Sequence, residues 1–189
     1  CGASSYAPEN TLAAFSLAIQ LKADWFELDC TLSKDEQIIV IHDDTLDRTS
    51  EGEGPVANLT LAELKRLDAG SWMHEEFKGE PIPTLAEALD LARGKIGVFV
   101  EVKHTDDALD LRAKVLAAAP EARLALLEAS ACVDLPLAKA VVAEVRPRVA
   151  RGERIVVQSF SAIICAWVRL AAPEVTVELL VGDVPWEES

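Results

Sequence analysis

The chain has 189 residues, half of them hydrophobic, and a formal net charge of −14 at pH 7. This length favours a single domain over residues 1–189 with one sizeable core. The charge argues against nucleic acid as a partner, because cationic side chains supply most of the affinity for a phosphate backbone. A small phosphate substrate remains compatible, since a bound metal ion can reverse the local charge. No apolar run is long enough to span a bilayer, so we expect no stable membrane insertion.

The cysteines are scattered and form neither a CxxC pair nor a zinc-like spacing. Cys30 and Cys165 lie in apolar runs, which predicts two buried thiols. Disulfides are possible on the count alone. The cysteine pattern favours a reducing, cytoplasmic location.

The first predicted elements are a helix and two strands. In "PENTLAAFSLAIQLKAD", Asn10 or Thr11 can cap a helix whose apolar stripe is formed by Leu12, Phe15 and Ile19. Next, "WFELDCTL" predicts a strand, and after the turn "SKDEQ" the run "IIVIHDD" predicts another.

A polar segment rich in glycine and proline follows, from Thr45 to Pro83. It contains one predicted short helix, "TLAELKRLDAG", which ends at Gly70. Thr84 then caps the helix "LAEALDLARG", and "KIGVFVEVKH" predicts a strand that is nearly all apolar until Glu101.

The remaining pattern predicts helices near Ala108–Ala119 and Leu135–Val149, the strand "RIVVQSF", a helix from Ser161 to Ala171 and a last strand, "VTVELLV". Strands that alternate with helices indicate a parallel sheet. A closed (β/α)₈ barrel needs about 250 residues, and this chain supplies roughly five of the eight units. We therefore expect an α/β fold of the TIM-barrel type that is incomplete in this chain.

Charged side chains follow the predicted strands. Glu27 and Asp29 are two apart and so share one face of their strand, and Glu101 and Lys103 repeat this spacing on another strand. Carboxylates from two strand ends favour a hard divalent cation such as Mg²⁺ or Ca²⁺. His42, which ends the second apolar run, can act as a general acid or base.

In an alternative interpretation, these charged residues form no functional site. In so acidic a chain, E-x-D and H-D-D can be exposed surface charge, and E-x-K can be a salt bridge at a strand end. His74 and His104 have no acidic constellation of this kind, and we predict that both are exposed. The position of every candidate at the end of a strand in one predicted sheet favours the site.

Several motifs, in order, resemble the glycerophosphodiester phosphodiesterase family. They are "GASSYAPENTLAAF", "FELDCTLSKDEQIIVIHDDTLDRTSEGEG", "LTLAELKRLDAGSW", "IPTLAEAL", "VFVEVKH" and "IVVQSF". The resemblance implies a TIM barrel with an insertion at about 43–83. It also implies metal-dependent hydrolysis of a small glycerophosphodiester to an alcohol and sn-glycerol 3-phosphate, a reaction of lipid and glycerol metabolism.

The same resemblance implies roles for individual residues. Glu27, Asp29 and Glu101 match the metal-binding acids, and Mg²⁺ or Ca²⁺ would be the metal. Lys103 matches a lysine near the phosphate, and His42 matches one of two catalytic histidines. Asn10, in P-E-N-T, matches a residue that lines the site.

One motif of the family is incomplete. The family opens with His-Arg-Gly at the end of its first strand, whereas here Cys1 precedes Gly2 and the histidine would lie before residue 1. The first strand and the last strands of the barrel are also missing, and Trp186 does not restore a Trp-Thr-rich segment. We expect a fragment of an enzyme. The alternatives are a degenerate relative that binds metal and phosphodiester without catalysis, and a related phospholipase D acting on lysolipids.

Overall fold

The structure is a computed structural model that describes residues 1–103, 109–129 and 135–182. Within these ranges the strands are β1 Trp25–Leu32, β2 Ile38–Val40, β3 Gly97–Val102, β4 Ile155–Ser159 and β5 Thr176–Leu179. The helices are α1 Leu12–Gln20, α2 Leu61–Leu64, α3 Leu85–Ala92, α4 Leu109–Ala117, α5 Pro120–Glu128, α6 Leu135–Val149 and α7 Ala162–Ala171. Two short 3₁₀ helices span Val56–Asn58 and Glu75–Phe77.

The five strands form one open sheet in the order β2-β1-β3-β4-β5. Strands β1, β3, β4 and β5 are parallel, because helices lie between them in the chain and return it to the same end of the sheet. Strand β2 pairs antiparallel with β1, to which a short hairpin connects it. All the parallel strands therefore deliver their carboxyl ends to one edge.

Alternating side chains give the sheet two different faces. One face packs on the helices and carries Phe26, Leu28, Val98, Val100 and Val157, which are all buried in the main core. The rings of Phe15 in α1 and Phe26 in β1 stack with centroids 4.4 Å apart. We call the opposite face the inner face. The in-register strand pairs place on it Trp25, Glu27, Asp29, Gly97, Phe99, Glu101, Val156, Gln158, Thr176 and Glu178.

The structure identifies the cap of α1 and shows that β2 is shorter than predicted. Thr11 is the cap, accepting a hydrogen bond from the Ala14 N–H, and Asn10 has another role. Strand β2 stops at Val40, so the predicted strand "IIVIHDD" is too long. The Ile41 N–H still donates to the Asp29 carbonyl at 3.0 Å, and the chain then bends away through the two aspartates.

Two predicted helices also differ. The stretch "TLAELKRLDAG" forms only α2, because the Asp68 carboxylate accepts hydrogen bonds from the N–H groups of Gly70, Ser71 and Gly79 and turns the chain. The helix predicted near Ala108–Ala119 is α4, and an unpredicted helix, α5, starts directly after it. Pro120 occupies the first turn of α5, where its missing N–H costs no helical hydrogen bond.

The polar segment between β2 and α3 packs around a small core of its own, formed by Ile39, Ile41, Leu46, Val56, Leu64, Ala69 and Ile82. That this segment is an insertion at about 43–83 stays a prediction. The same holds for the single domain over residues 1–189. His74 is exposed, as predicted. His104, Cys132 and Trp186 lie outside the described residues.

The two thiols predicted to be buried differ in exposure. Cys30 is buried and Cys165 is only half-buried, so the second prediction was partly wrong. The Cys165 thiol donates to the backbone carbonyls of Ser159 in β4 and Glu178 in β5. Burial raises the pKa of Cys30 well above its ordinary value and that of Cys165 to about 11. Neither thiol is activated as a nucleophile.

None of the helices in the described ranges combines the length and the apolar composition that crossing a bilayer would require.

Candidate active site

The carboxyl ends of β1 and β3 bring two acids together on the inner face. Asp29 and Glu101 are direct partners in the parallel ladder, so their side chains stand next to each other. Only 1% of the Asp29 surface and 9% of the Glu101 surface is exposed. Two carboxylates held out of water at neighbouring positions require a cationic partner.

Lys103 supplies a positive charge to both acids. Its Nζ lies 2.7 Å from Asp29 Oδ1 and 2.9 Å from Glu101 Oε1. Burial alone would lower the pKa of Lys103, but the hydrogen bonds to the two carboxylates outweigh burial and raise it. The lysine therefore stays charged, and it lies where the anionic oxygen of a substrate would meet it.

Glu27 stands on the same face as Asp29, two residues earlier on β1. Burial, followed by repulsion from Asp29, raises the pKa of its carboxyl group. Glu27 pairs with the amino group of Cys1, and the Cys1 thiol donates to Asp29 Oδ2 at 3.2 Å. One potential ligand atom each from Cys1, Glu27 and Asp29 lies within 4.8 Å of the others. Glu101 is not part of that trio and reaches Asp29 through Lys103.

Asn10 fixes the position of Asp29. Its Nδ2 donates to Asp29 Oδ2 at 2.8 Å, and its Oδ1 accepts from the Asp29 backbone N–H at 3.3 Å. Asn10 is buried and has a φ of 56°, a left-handed conformation that asparagine adopts more readily than most residues. This backbone turn directs the amide at β1 just before α1 begins.

His42 is held by a hydrogen bond to Asp43, which belongs to a chain of ion pairs. Its Nδ1 lies 2.6 Å from Asp43 Oδ1, and Arg48 donates to both oxygens of Asp43 at 2.7 and 3.0 Å. Arg48 also donates to both oxygens of Glu9, at 2.7 and 3.0 Å. The hydrogen bonds from Arg48 lower the pKa of Asp43 well below its ordinary value. Because Asp43 engages Nδ1, Nε2 is the nitrogen left to exchange a proton with a ligand.

Asn10 connects the histidine to the acids. The Ile41 N–H donates to the Asp29 carbonyl, so His42 directly follows a residue that is hydrogen-bonded to β1. Asn10 and His42 line one small cavity, together with Glu9, Ile41, Thr49 and Ile82. The structure thus brings all six predicted site residues to one edge of the sheet: Asn10, Glu27, Asp29, His42, Glu101 and Lys103.

The donor set fits a hard divalent cation. Glu27, Asp29 and Glu101 offer carboxylate oxygens from two strands, the ligand type that Mg²⁺ and Ca²⁺ prefer. Burial and, after it, repulsion from Asp29 raise the pKa of Glu27, and a bound cation would relieve that repulsion. The Cys1 thiol is a soft donor and adds little affinity for such an ion.

The chain matches known proteins at the level of a family. The model of the Glycerophosphoryl diester phosphodiesterase family matches residues 2–189. The chain belongs to that family. Glycerophosphodiester phosphodiesterases of Caldanaerobacter subterraneus subsp. tengcongensis and Bacillus subtilis are 52% identical over 103 residues and 39% identical over 131 residues. These matches cover 54% and 65% of this chain and 42% and 45% of the relatives, so the chain spans about half the length of the curated relatives it matches.

Solved structures agree with the family assignment. A glycerophosphodiester phosphodiesterase from Agrobacterium tumefaciens superposes with a TM-score of 0.70 at 36% identity, covering 93% of this chain and 62% of that one. An Oleispira antarctica phosphodiesterase in complex with the product sn-glycerol-3-phosphate gives a TM-score of 0.77 at 30% identity, covering 99% and 67%. The predicted TIM-barrel type of fold is confirmed, and its sheet is not closed in this chain.

Sequence reasoning missed the residues that hold His42. Arg48 and Glu9 lie 39 residues apart in the chain, and only the fold shows that they pair. Asp43 and Arg48 were part of the motif "IHDDTLDRT", where they carried no separate assignment. The acidic "PEN" before α1 gave a weak signal, since Glu9 precedes a residue already predicted to line the site.

Proposed function

We propose that this chain carries the metal and phosphate site of an enzyme that hydrolyses glycerophosphodiesters to an alcohol and sn-glycerol 3-phosphate. The observation that carries the proposal is the in-register pair Asp29 and Glu101, with the Lys103 ammonium within 2.9 Å of each carboxylate and His42 on the adjoining hairpin. The Oleispira antarctica neighbour with bound sn-glycerol-3-phosphate supports the substrate class.

Glu27, Asp29 and Glu101 would hold Mg²⁺ or Ca²⁺. When bound, such an ion stabilises the negative charge that develops on a phosphate in the transition state. Asn10 keeps the Asp29 carboxylate oriented, since it bonds both the side chain and the backbone of that residue. This preorganisation makes Asp29 the most firmly positioned of the three acids.

Lys103 and His42 act on the substrate. The raised pKa of Lys103 keeps it protonated at neutral pH, so it binds an anionic phosphate oxygen. His42 exchanges a proton with the attacking or leaving oxygen through Nε2, while Asp43 holds Nδ1. Asp43 stays ionised under the influence of Arg48 and stabilises the imidazolium form that arises when His42 takes up a proton.

Product analysis tests the proposal. Protein expressed from the complete reading frame should release sn-glycerol 3-phosphate from glycerophosphocholine or glycerophosphoethanolamine with Mg²⁺ or Ca²⁺, and EDTA should abolish the release. Full activity in EDTA would contradict the metal assignment. The failure to cleave any glycerophosphodiester with metal present would contradict the function.

Cys1 favours one alternative, a relative that binds metal and phosphodiester without catalysis. Its thiol lies against Asp29, at a position where the family motif has arginine. Sequencing the reading frame upstream of Cys1 separates the two proposals. A histidine immediately before Cys1 supports the enzyme, and any other residue supports the binding protein.

A further inference from the structure

The polar row on the inner face continues beyond the two acids of the site. Ladder pairs join Asp29 to Glu101, Glu101 to Gln158, and Gln158 to Glu178. These four side chains stand in one layer across four neighbouring strands, all on the inner face. The proposed phosphate site uses the first two of them and leaves Gln158 and Glu178 without a role.

Gln158 holds the carboxylate of Glu178 in place. Its Nε2 donates to Glu178 Oε2 at 2.8 Å. Among the described residues, no side chain neutralises the charge of Glu178, which is exposed. The hydrogen bond from the Gln158 side-chain amide leaves Glu178 Oε1 available to a ligand. It also fixes the orientation of the Glu178 carboxylate. The pair is therefore an oriented anionic group beside the proposed phosphate site.

The spacing suits the leaving alcohol of a diester. Neighbouring strands are about 4.8 Å apart, so the backbones at Glu101 and Glu178 are separated by about 10 Å. In a diester of choline or ethanolamine, four bonds join phosphorus to nitrogen, a span of about 5 Å. A phosphate at Asp29, Glu101 and Lys103 can thus place the nitrogen near the end of the Glu178 side chain.

We propose that Glu178, oriented by Gln158, determines specificity for diesters whose alcohol carries an ammonium group. This inference rests on the proposed function and adds the class of leaving alcohol. The cation would pair with the Glu178 carboxylate while the phosphate occupies the far end of the same row. A diester of a neutral alcohol such as glycerol has no positive group to place there.

The test compares a cationic with a neutral substrate on protein expressed from the complete reading frame. For Glu178→Gln, KM for glycerophosphocholine should rise about 2- to 5-fold, the range expected for one exposed ion pair. The kcat should not change. KM for glycerophosphoglycerol should change no more than in Glu174→Gln, a matched control whose exposed carboxylate pairs with Arg146.

A binding measurement gives a second readout that needs no turnover. In the His42→Ala background, calorimetric titration should show that Glu178→Gln weakens binding of glycerophosphocholine but not of glycerophosphoglycerol. An equal change for both diesters, or no change for either, would overturn the assignment of Glu178. If the wild type cleaves no diester, the proposed function fails, and this binding ratio still decides the role of Glu178.

Discussion

The inner face of the sheet has two ends of opposite character. At the amino ends of β1 and β3, Trp25 and Phe99 pack with ring centroids 4.7 Å apart, and Gly97 leaves room for the indole. At the carboxyl ends of the same strands, Asp29 and Glu101 share a lysine. We call these the amino end and the carboxyl end of the inner face.

The two ends therefore have different roles: the amino end contributes to stability, and the carboxyl end carries the proposed site. At the amino end, side chains fill space and Arg154 lies over the Trp25 ring, 5.1 Å from its centroid. At the carboxyl end, buried charges are tolerated only because each has a partner. Substitutions at the amino end should therefore change the free energy of unfolding, and substitutions at the carboxyl end should change metal affinity and turnover.

The largest effect is expected from His42→Ala. General acid–base groups contribute about 10²–10⁴-fold in rate, so turnover of glycerophosphocholine should fall by that factor. Metal affinity should stay near that of the wild type, because the proposed role of His42 is to move protons. His74→Ala, which removes an exposed histidine, is the matched control. Unchanged turnover in His42→Ala would leave the hairpin without a catalytic role.

A smaller effect is expected from Asn10→Gly. This variant deletes the amide that holds Asp29 and still tolerates the φ of 56° at residue 10. Loss of such a supporting group typically costs about 10- to 100-fold in metal affinity, to be measured by calorimetry. Asn58→Ala, at an exposed asparagine, should have no effect. If less protein folds but the folded protein keeps its metal affinity, Asn10 stabilises the fold and does not support the metal site.

The amino end should respond in stability alone. A Cβ added at Gly97 would meet Trp25 Cε3 at 2.2 Å, so Gly97→Ala should lower the free energy of unfolding by about 1–3 kcal/mol. Urea titration measures this change, and Gly182→Ala, where no described residue would meet the added Cβ, is the control. Metal affinity of the folded Gly97→Ala protein should match the wild type. A clear loss of metal affinity would break the separation between the two ends.

The smallest expected effect is a pH dependence near the carboxyl end. Arg48 lowers the pKa of folded Asp43 below its unfolded value of about 4, so the stabilisation is complete above that pH. It is lost as the pH falls through the lowered pKa. In Arg48→Gln, the urea midpoint should fall less between pH 7 and pH 3 than in the wild type. The control Arg66→Gln, at an exposed arginine, should behave like the wild type; equal pH dependence in both variants would contradict the role of Arg48.

The sequence predicted the carboxyl end well because strand spacing is local. Glu27 and Asp29 had to share a face, and parallel strands had to end at one edge. The register that pairs Asp29 with Glu101 spans 72 positions of the chain and could not be read from either motif. Nor could the sequence show that Lys103 lies between the acids, since this depends on where the chain turns after β3.

Tertiary contacts explain what the sequence left open or predicted wrongly. The sequence allowed Asn10 or Thr11 as the helix cap, and Thr11 is the cap, because Asn10 bonds to a strand residue 19 positions away. The predicted strand through His42 ended early, at Val40, and beyond it Asp43 pairs with Arg48 in place of a ladder contact with β1. No sequence pattern indicated a role for Glu178, an isolated acid in "VTVELLV", because only the pairing of β4 with β5 places it beside Gln158.

A metal titration shows whether the acids at the carboxyl end hold an ion. Calorimetry with Mg²⁺ and with Ca²⁺ should show one site in the wild type, with affinity about 10-fold or more weaker in Glu27→Gln and in Glu101→Gln. The control Glu174→Gln should keep the wild-type affinity. If both site variants bind metal as tightly as the control, these acids do not hold the ion, and the account of the carboxyl end is contradicted.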